Sequence, residues 1–101
     1  MVEFNLKEVL MNTFIVTYVL HTPGQKYTQI EKYMNDNLEC KKIMNTTWLI
    51  SSTHSAKIIR DAIETFLDDN DALFVAKLHS PKEISKKFLN NGSTPWIEAN
   101  M

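Results

Sequence analysis

The stretch from Thr13 to Leu20 reads Thr-Phe-Ile-Val-Thr-Tyr-Val-Leu, and no other feature restricts the fold as much. A β-branched and aromatic run of this length favours extended backbone and is too short for a typical helix, so the chain has to build a sheet. Two further runs share the signature: Thr46 to Ser51 (Thr-Thr-Trp-Leu-Ile-Ser) and Asp71 to Leu78 (Asp-Ala-Leu-Phe-Val-Ala-Lys-Leu). Both read as strands. The mixed segment Leu38 to Met44 reads as a weaker strand, or as the approach to one.

Helical spacing fills the gaps between these runs. Pro23 and Gly24 give a turn signal, after which Tyr27, Ile30, Tyr33, Met34 and Leu38 recur on one stripe and predict a helix over Tyr27 to Asn37. Ser52 and Thr53 offer side-chain oxygens to open a second helix. Its apolar stripe is Ala56, Ile59, Ala62, Ile63, Phe66 and Leu67, and Lys57 with Asp61 and Arg60 with Glu64 are spaced for ion pairs on its exposed face. Asp68, Asp69 and Asn70 favour a turn before the last strand. The order is βαββαβ, an α+β arrangement with a four-stranded antiparallel sheet and two helices on one face.

A chain of 101 residues supports one domain, since halving it would leave neither part enough interior for a core. The expected organisation is an N-terminal leader at 1–10, the domain at 11–79 and a C-terminal tail at 80–101. In the tail Ile84, Phe88 and Leu89 have helical spacing, and Thr94-Pro95-Trp96-Ile97 places two large apolar residues in polar surroundings. Such a segment is expected to dock, on the domain or on a dimer partner.

The strands are apolar on both faces. Phe14, Val16, Tyr18 and Leu20 alternate with Ile15 and Val19, and Leu73 and Val75 alternate with Phe74, Ala76 and Leu78. Helices cover one face only. The other needs either the C-terminal segment or a second molecule, and a symmetric homodimer is the simplest source of the latter. Tyr18, Leu20, Phe74 and Trp96 are the candidate partner or dimer residues, while Trp48, mid-strand among apolar neighbours, is expected in the core.

Charge narrows the function classes. Eleven Lys and Arg against twelve Asp and Glu give a net charge of −1, so no global positive field draws the molecule to phosphate backbones. Nucleic-acid binding then needs a local patch, for which Lys26, Lys32, Lys41 and Lys42 beside Tyr27 and Tyr33 are the candidates, with Lys82, Lys86 and Lys87 as a second group. The competing expectation is that these lysines are simply solvated.

The single Cys40 forms no intramolecular disulfide and is expected to be a buried or half-buried thiol. Together with the absence of a signal-like opening, this predicts a reducing, cytoplasmic setting. No apolar run approaches the roughly 20 residues that a membrane-spanning helix needs. His54 and His79 belong to no close ligand pair, and Asp68, Asp69 and Asp71 lack the glycine and distal glutamate of a calcium loop, so turn chemistry is the better account of them. No glycine-rich phosphate loop, cysteine pair or Ser-His-Asp spacing stands out, and no cofactor is expected.

The run Asn12 to Gly24, then Thr46-Thr47-Trp48-Leu49-Ile50, Ile59-Arg60-Asp61 and Asp69-Asn70-Asp71-Ala72-Leu73-Phe74-Val75, resembles small bacterial SinR-family proteins, relatives of the CRISPR-associated Cas-two superfamily. The resemblance spans about Met11 to Leu78. It implies a ferredoxin-like fold, a homodimer formed through the sheets, and a module that binds nucleic acid or scaffolds a nucleoprotein complex. In that superfamily the first strand commonly ends Tyr-Asp-Leu, with the aspartate as proposed metal ligand.

Here the matching triplet is Tyr18-Val19-Leu20. Valine offers no hard oxygen to Mg²⁺ and orients no water, so the resemblance implies a module without catalysis at that position. His21 is the nearest replacement, although imidazole is a poor Mg²⁺ ligand. Two alternatives stand beside this reading: a protein-interaction module, adaptor or inhibitor, that uses a sheet edge or Trp96; and a divalent-metal nuclease, the one case in which Mg²⁺ would be required.

Overall fold

A computed structural model describes residues 11–21, 25–79, 85–87 and 89–100. The leader, the Pro23-Gly24 turn, Lys82, Ile84 and Phe88 lie outside the described residues, as do the side chains of Gln25 and Lys26. The Thr13 to Leu20 run forms β1 (Asn12–Val19), followed by α1 (Gln25–Asn37), β2 (Glu39–Met44), β3 (Thr47–Ser52), α2 (Ala56–Glu64), β4 (Ala72–Leu78) and a third helix, α3 (Ser93–Asn100). The sheet order is β2-β3-β1-β4, with every neighbouring pair antiparallel. With helices after the first and third strands, this is the ferredoxin-like arrangement.

Register decides which side chains share a face. Val16 lies opposite Trp48 on one side and Val75 on the other, and Phe14 lies opposite Ile50. These residues therefore point the same way, since opposed residues of an antiparallel pair share a face. With Tyr18 and Leu20 they meet Ile30 and Met34 of α1 and Ile59 and Ile63 of α2 in the main core. Tyr27, Tyr33, Phe66 and Leu67 seal its margin, and the rings of Tyr33 and Phe66 sit 5.7 Å apart.

The start of α2 differs from expectation. Its N-cap is Ser55, whose hydroxyl accepts the Ile58 N–H at 3.2 Å, while Ser52 accepts the His54 N–H in the preceding turn at 3.0 Å. A capping oxygen has to sit directly before the first helical residue to reach the amide three positions on, and Ser52 and Thr53 are too early. The exposed-face pairs are in place: Lys57 to Asp61 at 2.7 Å and Arg60 to Glu64 at 4.0 Å.

The second face of the sheet is covered in part by the chain's own C-terminal segment. Ile97 of α3 is buried against Ile43 and Leu49, with Ile15, Leu78, Leu89 and Trp96 around them. Asn90 fixes the approach: its backbone N–H donates to the Ile43 carbonyl at 3.0 Å and its side-chain amide to the Lys42 carbonyl at 3.2 Å. The segment's helix is Ser93–Asn100, whereas residues 85–87, 89 and 90 are not helical. Pro95 is accommodated because it falls in the first turn, where its missing N–H has no intrahelical acceptor. The cover stops short of the far end of the sheet, where Val19 and Phe74 are each 59% exposed. Among the described residues no helix is long and apolar enough to cross a membrane.

Candidate functional site

Because β1 and β4 are antiparallel, the end of one meets the start of the other, and Val19 stands opposite Ala72. Thr17 is opposite Phe74 on the same face. The side chains of Thr17, Val19, Ala72 and Phe74 thus form a small, largely apolar surface, notched by a groove of about 150 Å³. Val19 holds the position at which the resemblance would place a metal-binding aspartate, and its exposed isopropyl group provides no ligand there.

Asp71 directly precedes β4 at this end, and backbone amides engage both of its oxygens. Oδ1 accepts the His21 N–H at 2.9 Å and Oδ2 accepts the Asp68 N–H at 2.8 Å, while the Asp71 N–H returns to the Asp68 carbonyl at 3.0 Å. The aspartates before β4 thus work as turn formers, and Asp71 also staples the end of β1 to the start of β4. His21 is exposed. Among the described residues no group of three His, Cys, Asp or Glu side chains is placed to hold a metal ion.

A more polar cleft of about 400 Å³ lies between α2 and the start of β4, lined by Arg60, Glu64, Asp68, Asp69 and Asp71 among others. Four carboxylates face one guanidinium, which itself lies 2.6 Å from Asp61. Such a cleft repels phosphate.

Of the candidate lysines whose side chains are described, Lys41 and Lys42 do not share a face. Lys42 opposes Trp48 and Lys41 opposes Leu49, so the pleat sends them to opposite faces. Lys42 lies 2.6 Å from Glu31 and 6.0 Å from the centroid of the Trp48 ring. Lys32 pairs with Asp36 at 2.6 Å, and that hydrogen bond raises the ammonium pKa further. Lys41 lies near Gly92, at the approach to α3. Lys86 and Lys87 are exposed on the tail segment, and His54 and His79 are exposed as well.

The four candidate partner residues also separate. Tyr18 and Leu20 are buried on the helix-covered face, so their apolar area is used within the chain. Trp96 is half-buried in the second cluster and donates its indole N–H to Glu39 at 3.2 Å. Phe74 alone keeps a largely exposed ring. Trp48 is buried in the main core. The Asp71 staple and the Asn90 anchor have no local sequence signature, because their partners are about fifty residues away. No family model matches the chain, and no curated protein matches it significantly.

Proposed function

We propose that this chain is a homodimeric scaffolding module of the Cas-two-like kind, which acts by surface contact and not by hydrolysis. One observation carries the reading: the end of β1, where a hydrolase of this resemblance would hold its carboxylate, carries instead the exposed Val19, with the exposed Phe74 of β4 on the same face. Exposed apolar side chains grouped at a sheet end are suited to association, since covering them removes apolar area from water. The ferredoxin-like fold supports the reading. The ion pairs of Lys32 and Lys42 and the separation of Lys41 from Lys42 favour protein contact over phosphate contact within a nucleoprotein assembly.

Sedimentation velocity and light scattering on the purified chain test the dimer, and a lone subunit at every concentration would overturn it. Incubation with labelled DNA and RNA in Mg²⁺ or Mn²⁺ tests the absence of hydrolysis, with cleavage no faster than in buffer as the expected result. Gel shifts across a salt series separate the modes of assembly. Affinity that falls steeply with salt would establish direct phosphate contact, whereas contact through protein alone predicts no shift.

A further inference from the structure

The C-terminal segment covers the second face of the sheet without sealing it. Asn90 hangs on the carbonyls of Lys42 and Ile43, and Ile97 is buried against Ile43 and Leu49, so the segment is anchored over β2 and β3. Between it and the strands runs a groove of about 300 Å³, lined by Ile15, Leu49 and Leu78 from the sheet and by Leu89 and Ile97 from the segment. The irregular ladder between Lys42 and Met44 adds to this lining. A bulge breaks the alternation of side chains along a strand, and the consecutive Ile43 and Met44 both border the groove.

Among the described residues the polar members of the lining are Ser85 and Lys86, both on the C-terminal segment, so the groove has an apolar body and one polar side. A second cleft, of about 340 Å³, shares Lys86 and Leu89 with the first and adds Lys87 and Thr94. Among the described residues no carboxylate lines either cleft. Thr94 stands in the first turn of α3, where the aligned peptide dipoles favour negative charge. Lys87 has an interaction of its own, so the charge argument rests on Lys86, which is exposed and enters no ion pair among the described residues.

We infer that these adjoining clefts bind a single-chain aliphatic carboxylate, with the acyl tail along Ile15, Leu49 and Leu78 and the head at Lys86 and Thr94. An apolar body with a few polar groups that fix orientation is the usual build of a small-molecule site, and the apolar groove stands at the lower end of the size range of such sites. It admits one short chain and excludes a two-chain lipid. Burial of the tail supplies the affinity, while the ammonium and the hydroxyl both donate to a carboxylate and set the direction. Other classes fit less well. A nucleotide or sugar would leave polar groups unpaired against the aliphatic lining, and a cationic amphiphile would bring like charge to Lys86. The site does not rest on the proposed function.

The test separates tail from head. Sodium decanoate, titrated below its micelle concentration and followed by calorimetry and amide chemical shifts, is expected to bind saturably at one site, with shifts at Ile15, Ile43, Leu49 and Leu89. Acetate, the head alone, is expected to shift none of these at the same concentration. Decyltrimethylammonium, the same tail with the opposite charge, is expected to bind more weakly than decanoate. Lys86→Glu, at an exposed position, is expected to weaken decanoate by about tenfold at low salt, because it removes one attraction and adds a repulsion. The same change is expected to strengthen decyltrimethylammonium.

Equal affinity of wild type and Lys86→Glu for decanoate, or shifts confined to Val19 and Phe74, would overturn the site. Shifts produced equally by acetate would remove the aliphatic ligand. Capture of the chain by vesicles of anionic two-chain lipid, with no binding of free decanoate, would mark a membrane-facing surface and end the proposal as well.

Discussion

The indole N–H of Trp48 donates to the hydroxyl of Tyr18 at 3.0 Å, inside the layer between sheet and helices. Both side chains are buried, and each supplies the partner that the other's polar atom needs. Tyr18→Phe keeps the ring and orphans the indole N–H, at an expected cost of about 1–3 kcal/mol. Urea unfolding is expected to show a lower midpoint with an unchanged slope, and a midpoint equal to wild type would disprove the role.

Alkaline pH gives the same contact a second readout. Burial raises the Tyr18 hydroxyl above its ordinary 10.0, the Trp48 hydrogen bond opposes this, and the charge of Glu31 adds to it. Above pH 10 the unfolded chain loses a proton that the folded chain keeps, so stability falls as pH rises past that point. Tyr18→Phe should show a shallower alkaline decline than wild type, measured as unfolding midpoint against pH.

Cys40 makes a prediction about reactivity. Its Sγ donates to the Met34 carbonyl at 3.4 Å, and burial, with a smaller contribution from the charge of Glu39, pushes the thiol from 9.0 up to about 11. Thiolate is the reactive form, so near pH 8 the folded chain is expected to react with a disulfide reagent on the order of a hundredfold more slowly than the urea-unfolded chain. The folded thiol keeps its proton where the unfolded one has lost it, so this group's stabilisation declines from about pH 9 and levels off above about pH 11. Equal rates for folded and unfolded chains would show that the thiol is neither buried nor held.

These local features show what a sequence can announce. Phe14, Val16 and Tyr18 alternate with Ile15 and Val19, so β1 and the existence of two apolar faces are legible from periodicity alone. Ile59 and Ile63 likewise mark the buried side of α2, and the βαββαβ order follows. The β2 strand is faint because Cys40, Lys41 and Lys42 interrupt its apolar character. The α2 cap, Ser55, is missed by two to three positions because several serines and a threonine compete for it.

The site is less legible than the fold. Lys41 and Lys42 look like one patch in a list of charges, yet strand alternation separates them. Tyr18 and Leu20 look available until the sheet places them under the helices. The pairing of His21 with Asp71 and of Asn90 with the β2 carbonyls depends on register and on the path of the tail, which no local pattern encodes.

Asp71 is predicted to stabilise the end of the sheet through its two backbone acceptor contacts. Both lie at the surface, where water replaces a lost partner, so Asp71→Ala is expected to cost about 1 kcal/mol, toward the low end for a charged acceptor. The sharper readout is hydrogen exchange. The His21 and Asp68 amides should exchange faster in the variant while those at the centre of β1 keep their protection, and unchanged exchange at His21 would remove the staple.

The approach to α3 rests on Gly92, whose φ of +83° lies in the left-handed region. An added Cβ would also stand 3.2 Å from the Lys41 Nζ, the movable end of a long side chain, so backbone strain dominates over crowding. Gly92→Ala is expected to cost about 1–2 kcal/mol, and Gly92→Asn less, because asparagine tolerates this conformation better. Ile97→Ala opens a void against Ile43 and Leu49 and is expected to cost about 2–4 kcal/mol. If α3 belongs to the same cooperative unit as the sheet, Gly92→Ala and Ile97→Ala both lower the single thermal unfolding transition. A tail that detaches on its own would instead leave that transition in place and show faster exchange only across Trp96 to Asn100, and this result would reduce α3 to a loosely held cover.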